Sequence, residues 1–276
     1  MLYLILAIAS SALVSVFMQL SSDRVTGRFS LLAVNYLACT ILGAVYARGD
    51  LLPIREAGFN TMLLLGLIAG GLYLLGFVLL QRNIRKNGIV LSSLFMKLGL
   101  LVPIVMSLVF FRELPSALQC IGFAIAIGAI VLLNLQKGAG GFTFGLLILL
   151  LAGGGCDAMS KVYEQLGSAA LSDQFLFFTF FFAFALCLIP VLRNKERPGL
   201  KELLFGLLIG LPNFFSAKFL LAALTQLPAV VVYPTFSVAT LLAVTLAGVL
   251  FFKEKLKARQ WTALAMILLA LIALNI

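Results

Sequence analysis

Three lysines and two carboxylates interrupt runs otherwise built from Leu, Ile, Val, Phe and Ala: Lys97, Lys161, Lys218, Asp157 and Glu164. A lone charge near the centre of a bilayer costs about 2.5–3.5 kcal/mol on insertion scales, so it faces a cavity or a partner. Such groups bind ionic substrates, relay protons or neutralise one another. Asp157, Lys161 and Glu164 stand at i, i+4 and i+7, which lines them on one helix face. Asp157 and Lys161 can cancel there. Asp157 is the deeper carboxylate and the candidate for proton coupling; Glu164 stabilises the helix end near the interface. Lys97 lies at the middle of its apolar run, out of snorkelling reach. It is a substrate or counter-charge residue, the alternative being a structural ion pair with a carboxylate on the sixth span. Pro103, further along the same run, removes a backbone donor and bends the helix.

Lys218 either lines the same cavity or snorkels toward one face. Neighbouring polar groups complete the candidate substrate site: Asn213, Tyr233, Ser93, Tyr73 and Gln19. Tyr233-Pro234-Thr235, with Ser237 and Thr240, offers hydroxyls and a freed carbonyl, and Pro212-Asn213 is expected to interrupt its helix. If the neighbouring charges pair, one positive charge remains. That balance points to a substrate with an anionic or carboxylate group.

Other chemistries fit less well. The chain has no histidine, which disfavours a catalytic zinc site or a His relay. Cys39, Cys120, Cys156 and Cys187 all sit in apolar runs and behave as small hydrophobes, not as a disulfide framework. No GxxxxGK[ST] loop exists to hold ATP. Asp157 has no intramembrane Asp partner, and Ser160-Lys161 are adjacent and do not face each other, so an intramembrane enzyme is disfavoured. No cofactor or metal is expected.

These residues need a membrane scaffold. The 276 residues are 63% hydrophobic and only 11% charged, against about 25% charged in soluble domains. Apolar runs separated by turn residues predict ten spans, near 2–20, 29–47, 60–81, 88–110, 115–135, 142–163, 172–192, 202–225, 228–251 and 257–275. Met1 leads straight into the first, read as a retained helix without a cleavable signal. Loops after odd-numbered spans hold 14 Lys and Arg residues; the opposite side has 3, Arg48, Arg55 and Arg112. The positive-inside rule then puts both termini outside. The aromatic block from Phe175 to Phe184 is expected to pack mostly toward lipid. The net charge of +10 is spread over loops, not gathered on a nucleic-acid face.

The spans also repeat. Val109 to Asn134 echoes Leu250 to Asn275, with Phe110, Phe111, Glu113, Gln119 and Asn134 falling on Phe251, Phe252, Glu254, Gln260 and Asn275 without a gap. The same shift maps residues 1–135 onto 142–276 as two five-helix repeats. An odd number of spans per repeat inverts the second relative to the first, and inverted repeats give a route to alternating access. The deep charges break the echo: Lys97 maps to Val238 and Asp157 to Val16.

Ten helices in two repeats, each with an apolar run into a Phe-rich turn and a Glu before its last helix, resemble the drug/metabolite transporter superfamily, and within it the EamA-like branch. Glu113 and Glu254 carry the resemblance most clearly, and it covers the whole chain. It implies a transport role and a central cavity lined by spans 1, 3, 4, 6, 8 and 9. Members carry amino acids, sugars, nucleotide sugars, purines, organic cations or drugs. Lys97 departs from the common pattern. Beside their turns, Glu113 and Glu254 are read as a cap or a loop salt bridge.

The leading expectation is therefore an all-α, multi-pass protein of the bacterial plasma membrane. It acts as a secondary active transporter of a small organic metabolite by alternating access, driven by protons or exchange. Its partners are a small-molecule substrate and membrane lipids, with no nucleic acid, as a monomer or homodimer. The alternatives are a lipid-linked or nucleotide-sugar translocator, a channel, or an intramembrane enzyme.

Overall fold

The computed structural model describes residues 1–47, 51–52, 54, 56–99, 101–102, 116–134, 144–224, 226–227 and 229–274. Glu113 and Pro103 lie outside these. Among the described residues the structure is all helical. The helices are α1 (Leu2–Ser21), α2 (Arg28–Tyr46), α3 (Phe59–Leu98), α4 (Ala117–Asn134), α5 (Phe144–Leu166), α6 (Ser172–Arg193), α7 (Leu200–Leu224), α8 (Ala229–Leu250) and α9 (Ala258–Leu274), with a 3₁₀ turn at Ala169–Leu171. Helices satisfy their own backbone polar groups, which is what an apolar sequence in lipid demands. Five stretches are long and apolar enough to cross a membrane: Leu2–Ser21, Arg28–Tyr46, Phe59–Leu98, Ser172–Arg193 and Leu200–Ala223; shorter apolar helices supplement them.

The third and fourth expected spans are two helical limbs that meet at a kink. Arg82 to Asn87, read as a polar loop, continue the helix, and the only break in α3 is Gly88 at φ 80° and ψ 169°. Arg, Lys and Gln are good helix formers, so the helix runs on through these polar residues to the kink. Gly88 is suited to this backbone. A Cβ there would also come within 2.5 Å of Glu254 Oε1.

Pro212 does not interrupt α7, which runs unbroken from Leu200 to Leu224. Proline is tolerated in membrane helices because neighbours re-satisfy the freed carbonyl. The aromatic block of α6 also differs from expectation. Phe175, Phe178 and Phe180 are buried, and Phe181 is the exposed large member. Phe180 meets Tyr73 edge-on at 5.5 Å and Phe175 stacks on Tyr163 at 3.9 Å. The block is a packing surface for α2 and α3, not a lipid-facing stripe.

Packing is pairwise. α1 lies against α7 and α8, α2 against α6 and α7, α3 against α5, α6 and α8, and α4 against α9. Close approach of α5 to the second limb of α3 depends on small residues. A Cβ on Gly154 would run into the Gly99 carbonyl, so the Gly153-Gly154-Gly155 run serves helix contact.

Two helix ends share a device. α6 and α8 are each followed by a lysine in the left-handed region, Lys195 and Lys253, both at φ 52°. The next residue is a glutamate whose N–H donates back into the helix, Glu196 to Val191 C=O at 3.0 Å and Glu254 to Gly248 C=O at 3.0 Å. Such wraps satisfy terminal carbonyls. Each glutamate then turns its carboxylate onto the free N–H groups of a different helix. Glu196 accepts from Ser30 N–H at 2.9 Å. Glu254 accepts from Ile89 N–H at 2.6 Å and Val90 N–H at 3.2 Å, just past the break in α3. Glu202, buried at the start of α7, accepts from Gly27 N–H at 3.2 Å, Thr26 N–H at 3.3 Å and Gly199 N–H at 3.1 Å.

Candidate functional site

The Gly88 break and the glycine contacts of α5 leave a space between helices. It is a cavity of about 140 Å³ lined from α1, both limbs of α3, α5, α7 and α8. Its polar lining includes Lys97, Asp157, Asn213, Ser93 and Thr240; Tyr73, Phe77 and Phe236 supply aromatic wall.

Lys97 projects from the second limb of α3, half-buried, with Nζ 4.2 Å from the centre of the Phe236 ring. A cation over a ring face is attracted by about 0.5–2 kcal/mol. That partly offsets the loss of water. Asp157, from α5, opens onto the same cavity. The ion pair recorded among the described residues is Lys218–Asp173, so Lys97 and Asp157 share a space without closing a bridge on each other. Of the sixth-span carboxylates weighed as ion-pair partners for Lys97, Asp157 lies beyond salt-bridge distance, and the side chain of Glu164 lies outside the described residues.

The contacts of α3 and α8 fix their register. Lys97 meets Phe236. Two turns back along α3, Ile89 and Val90 share a buried cluster with Val244, two turns further along α8. The two helices thus run antiparallel, and the intervening turn places Ser93 opposite Thr240. Both are buried, 4% and 2% exposed, and neither hydroxyl oxygen has a hydrogen-bond partner among the described residues. Below them Ile89, Val90 and Val244, packed with Ala12, Val16 and Phe252, form an apolar floor. Beneath the floor, Glu254 occupies the N–H groups that open the second limb.

The remaining expected residues divide. Asn213 lines the cavity and donates from Nδ2 to Asn35 Oδ1 at 3.3 Å. Tyr73 lines it too, and its backbone carbonyl accepts from Tyr36 Oη–H at 2.9 Å. Lys218 is not among the lining residues. Its Nζ sits 2.5 Å from Asp173 Oδ1 and 4.8 Å from the centre of the Tyr46 ring, so it bridges α7, α6 and α2. Gln19 also lies outside the lining, with Oε1 buried and unpartnered among the described residues. The side chains of Lys161, Glu164 and Tyr233 lie outside the described residues.

Sequence reasoning missed Phe236, Ser11, Ser15 and Ser216. Phe236 is one phenylalanine among 24, and nothing in its spacing separates it from wall residues. Ser11 and Ser15 stand at i and i+4 in an apolar helix, a one-face polar pair that was open to detection.

Comparison with known proteins follows the same lines. Residues 140–276 match the EamA-like transporter family. An uncharacterized protein of Haemophilus influenzae (strain ATCC 51907 / DSM 11121 / KW20 / Rd) is 24% identical over 284 residues, covering 98% of this chain and 96% of its own. A protein of known crystal structure shares the fold with a TM-score of 0.61 and 17% identity, over 99% of this chain and 94% of the other.

Proposed function

The chain belongs to the EamA-like transporter family of the drug/metabolite transporter superfamily, and from that premise we propose that it moves a small organic metabolite bearing an anionic or carboxylate group by alternating access. It is an integral multi-pass membrane protein of the transporter class. A proton gradient or exchange supplies the energy, and Asp157 is the coupling carboxylate.

The observation that carries this reading is the cavity itself. Lys97 from the first half of the chain and Asp157 from the second line one cavity without bridging. An ionisable residue inside a membrane segment faces a cavity or a partner and marks a functional site, and these two line a cavity together. Two five-helix repeats of opposite insertion, residues 1–135 and 142–276, supply the movement. The helix pairings support this: exchanging each span with its counterpart turns α1 against α7 into α5 against α3, and α2 against α7 into α6 against α3, both of which occur. The size of the cavity, near the ~150 Å³ that holds a benzene-sized guest, favours a small metabolite over a nucleotide sugar.

The test is flux. Purified protein in proteoliposomes should show counterflow of small carboxylated solutes, accelerated by an imposed pH gradient. Lys97→Ala and Asp157→Asn should each abolish it while the protein remains monodisperse. Undiminished counterflow in both variants would sink the assignment, as would conductance without counterflow.

A further inference from the structure

Where the turn after α8 meets the kink of α3, the fold gathers cations and gives them no acid partner. Arg82, Arg85 and Lys86 stand at i, i+3 and i+4 near the end of the first limb of α3, and all three are exposed. Lys253, Lys255 and Lys257 alternate along the turn between α8 and α9 and are exposed too. Two contacts tie these segments together. Glu254 accepts from the Ile89 and Val90 N–H groups, and Leu256 packs on the buried cluster that holds Ile89 and Val90. Glu254 is the one acid of residues 81–90 and 250–261, and both its oxygens are taken by backbone. The ion pair recorded among the described residues, Lys218–Asp173, involves none of the six cations. Their mutual repulsion is relieved by an anion set among them.

The backbone adds a second observation. Lys253 lies in the left-handed region, at φ 52°, where helices usually end on glycine or asparagine. A lysine there is strained, so the backbone does not favour the residue found.

The adjoining surface is apolar. Leu242, Leu246 and Leu250 stand at i, i+4 and i+8 along α8 and are exposed. They make a stripe down one face of the helix, and exposed Phe251 follows it. Trp261, in the first turn of α9, is 48% exposed, and its N–H donates to Lys257 C=O at 3.1 Å. A free phosphate would use the cations alone. A phospholipid uses both parts, its acyl chains along the stripe and its phosphate among the cations, and indole rings settle at that headgroup level. We infer that Arg85, Lys86, Lys253 and Lys255, with the α8 stripe, form a binding site for an anionic phospholipid of the adjoining leaflet. None of these four cations lines the cavity, and the site does not depend on the transporter reading.

The chain has one tryptophan, which makes Trp261 a local reporter. The purified full chain is reconstituted in phosphatidylcholine bilayers in which a small fraction of the lipid, either phosphatidylglycerol or phosphatidylcholine, carries brominated acyl chains. Quenching of Trp261 then gives the association constant of one lipid relative to the other. Phosphatidylglycerol should be preferred about fivefold or more, the share of a single lysine near an anionic surface, and raised salt should reduce the ratio. Lys86→Gln with Lys253→Gln and Lys255→Gln should bring it near one. The same three positions changed to Arg should keep the preference, which separates charge from misfolding. Arg193→Gln with Arg197→Gln and Lys201→Gln removes the same charge from the turn between α6 and α7 and should leave the ratio unchanged.

Equal quenching by the two lipids in the unaltered protein overturns the site. Equal loss in both triple Gln variants makes the preference a property of overall charge and overturns it as well. A preference that survives in both places the lipid elsewhere. Displacement of the brominated lipid by millimolar glycerol 3-phosphate would mark a seat for a soluble anion and overturn the lipid assignment.

Discussion

Glu254 and Asp157 are carboxylates of the same half of the chain, and the structure uses them in opposite ways. Glu254 stands at the turn after α8 with both oxygens accepting from backbone N–H groups of another helix. Asp157 stands within α5, opens onto a cavity, and forms no bridge to the lysine that shares it. Glu196 and Glu202 belong with Glu254, since each is bound to the start of α2. Lys97 belongs with Asp157. The first set closes helix ends and holds loops together. The second set keeps its hydrogen-bonding capacity unspent. The difference lies in the partners: the first set is spent on backbone N–H groups, and the second is not.

That separation is open to challenge by mutation. The largest loss of stability is expected from Glu254→Ala, which strips two hydrogen bonds to the carboxylate and leaves the Ile89 and Val90 N–H groups unpaired. The cost should be about 3 kcal/mol, read as lowered thermal stability in detergent, and Glu254→Gln should recover part of it. Lys97→Ala and Asp157→Asn should do the reverse, lowering transport by about 10- to 100-fold, as loss of one charged hydrogen-bonding partner predicts. Their unfolding temperature should change little. A large drop in thermal stability without loss of flux would move Asp157 into the structural set.

Glu196→Gln should cost less than Glu254→Ala, about 1 kcal/mol, because it weakens a single backbone hydrogen bond. The smallest effect is expected from Lys218→Met. Its ion pair with Asp173 is part exposed, and such pairs contribute about 0–1 kcal/mol. Counterflow should persist in this variant. Loss of flux there would return Lys218 to the transport site.

Most of the helical scaffold was legible because an apolar run in lipid has few alternatives. The expected 172–192 and 228–251 became Ser172–Arg193 and Ala229–Leu250. Asn87-Gly88 marked the turn in α3 correctly, while the polar residues before it suggested a loop where a helix continues. Lys97, Asp157, Ser93, Asn213 and Tyr73 were visible as polar exceptions in apolar sequence. The partner of Lys218 was not, since Asp173 lies 45 residues away and only folding brings α6 beside α7. Phe236 was invisible for a different reason. Apolar residues that face lipid and those that line a cavity obey the same composition, and only the contact with Lys97 distinguishes this one.

The occupied start of the second limb of α3 has a consequence for how such a protein diversifies. A free helix N-terminus would give the cavity a fixed positive bias written into the backbone, which no substitution could remove. With Glu254 seated on those N–H groups, the proposed site draws its positive charge from a side chain, Lys97. On the proposed reading, a single codon change there alters the charge offered to cargo while the helix-end contacts that hold the fold are kept.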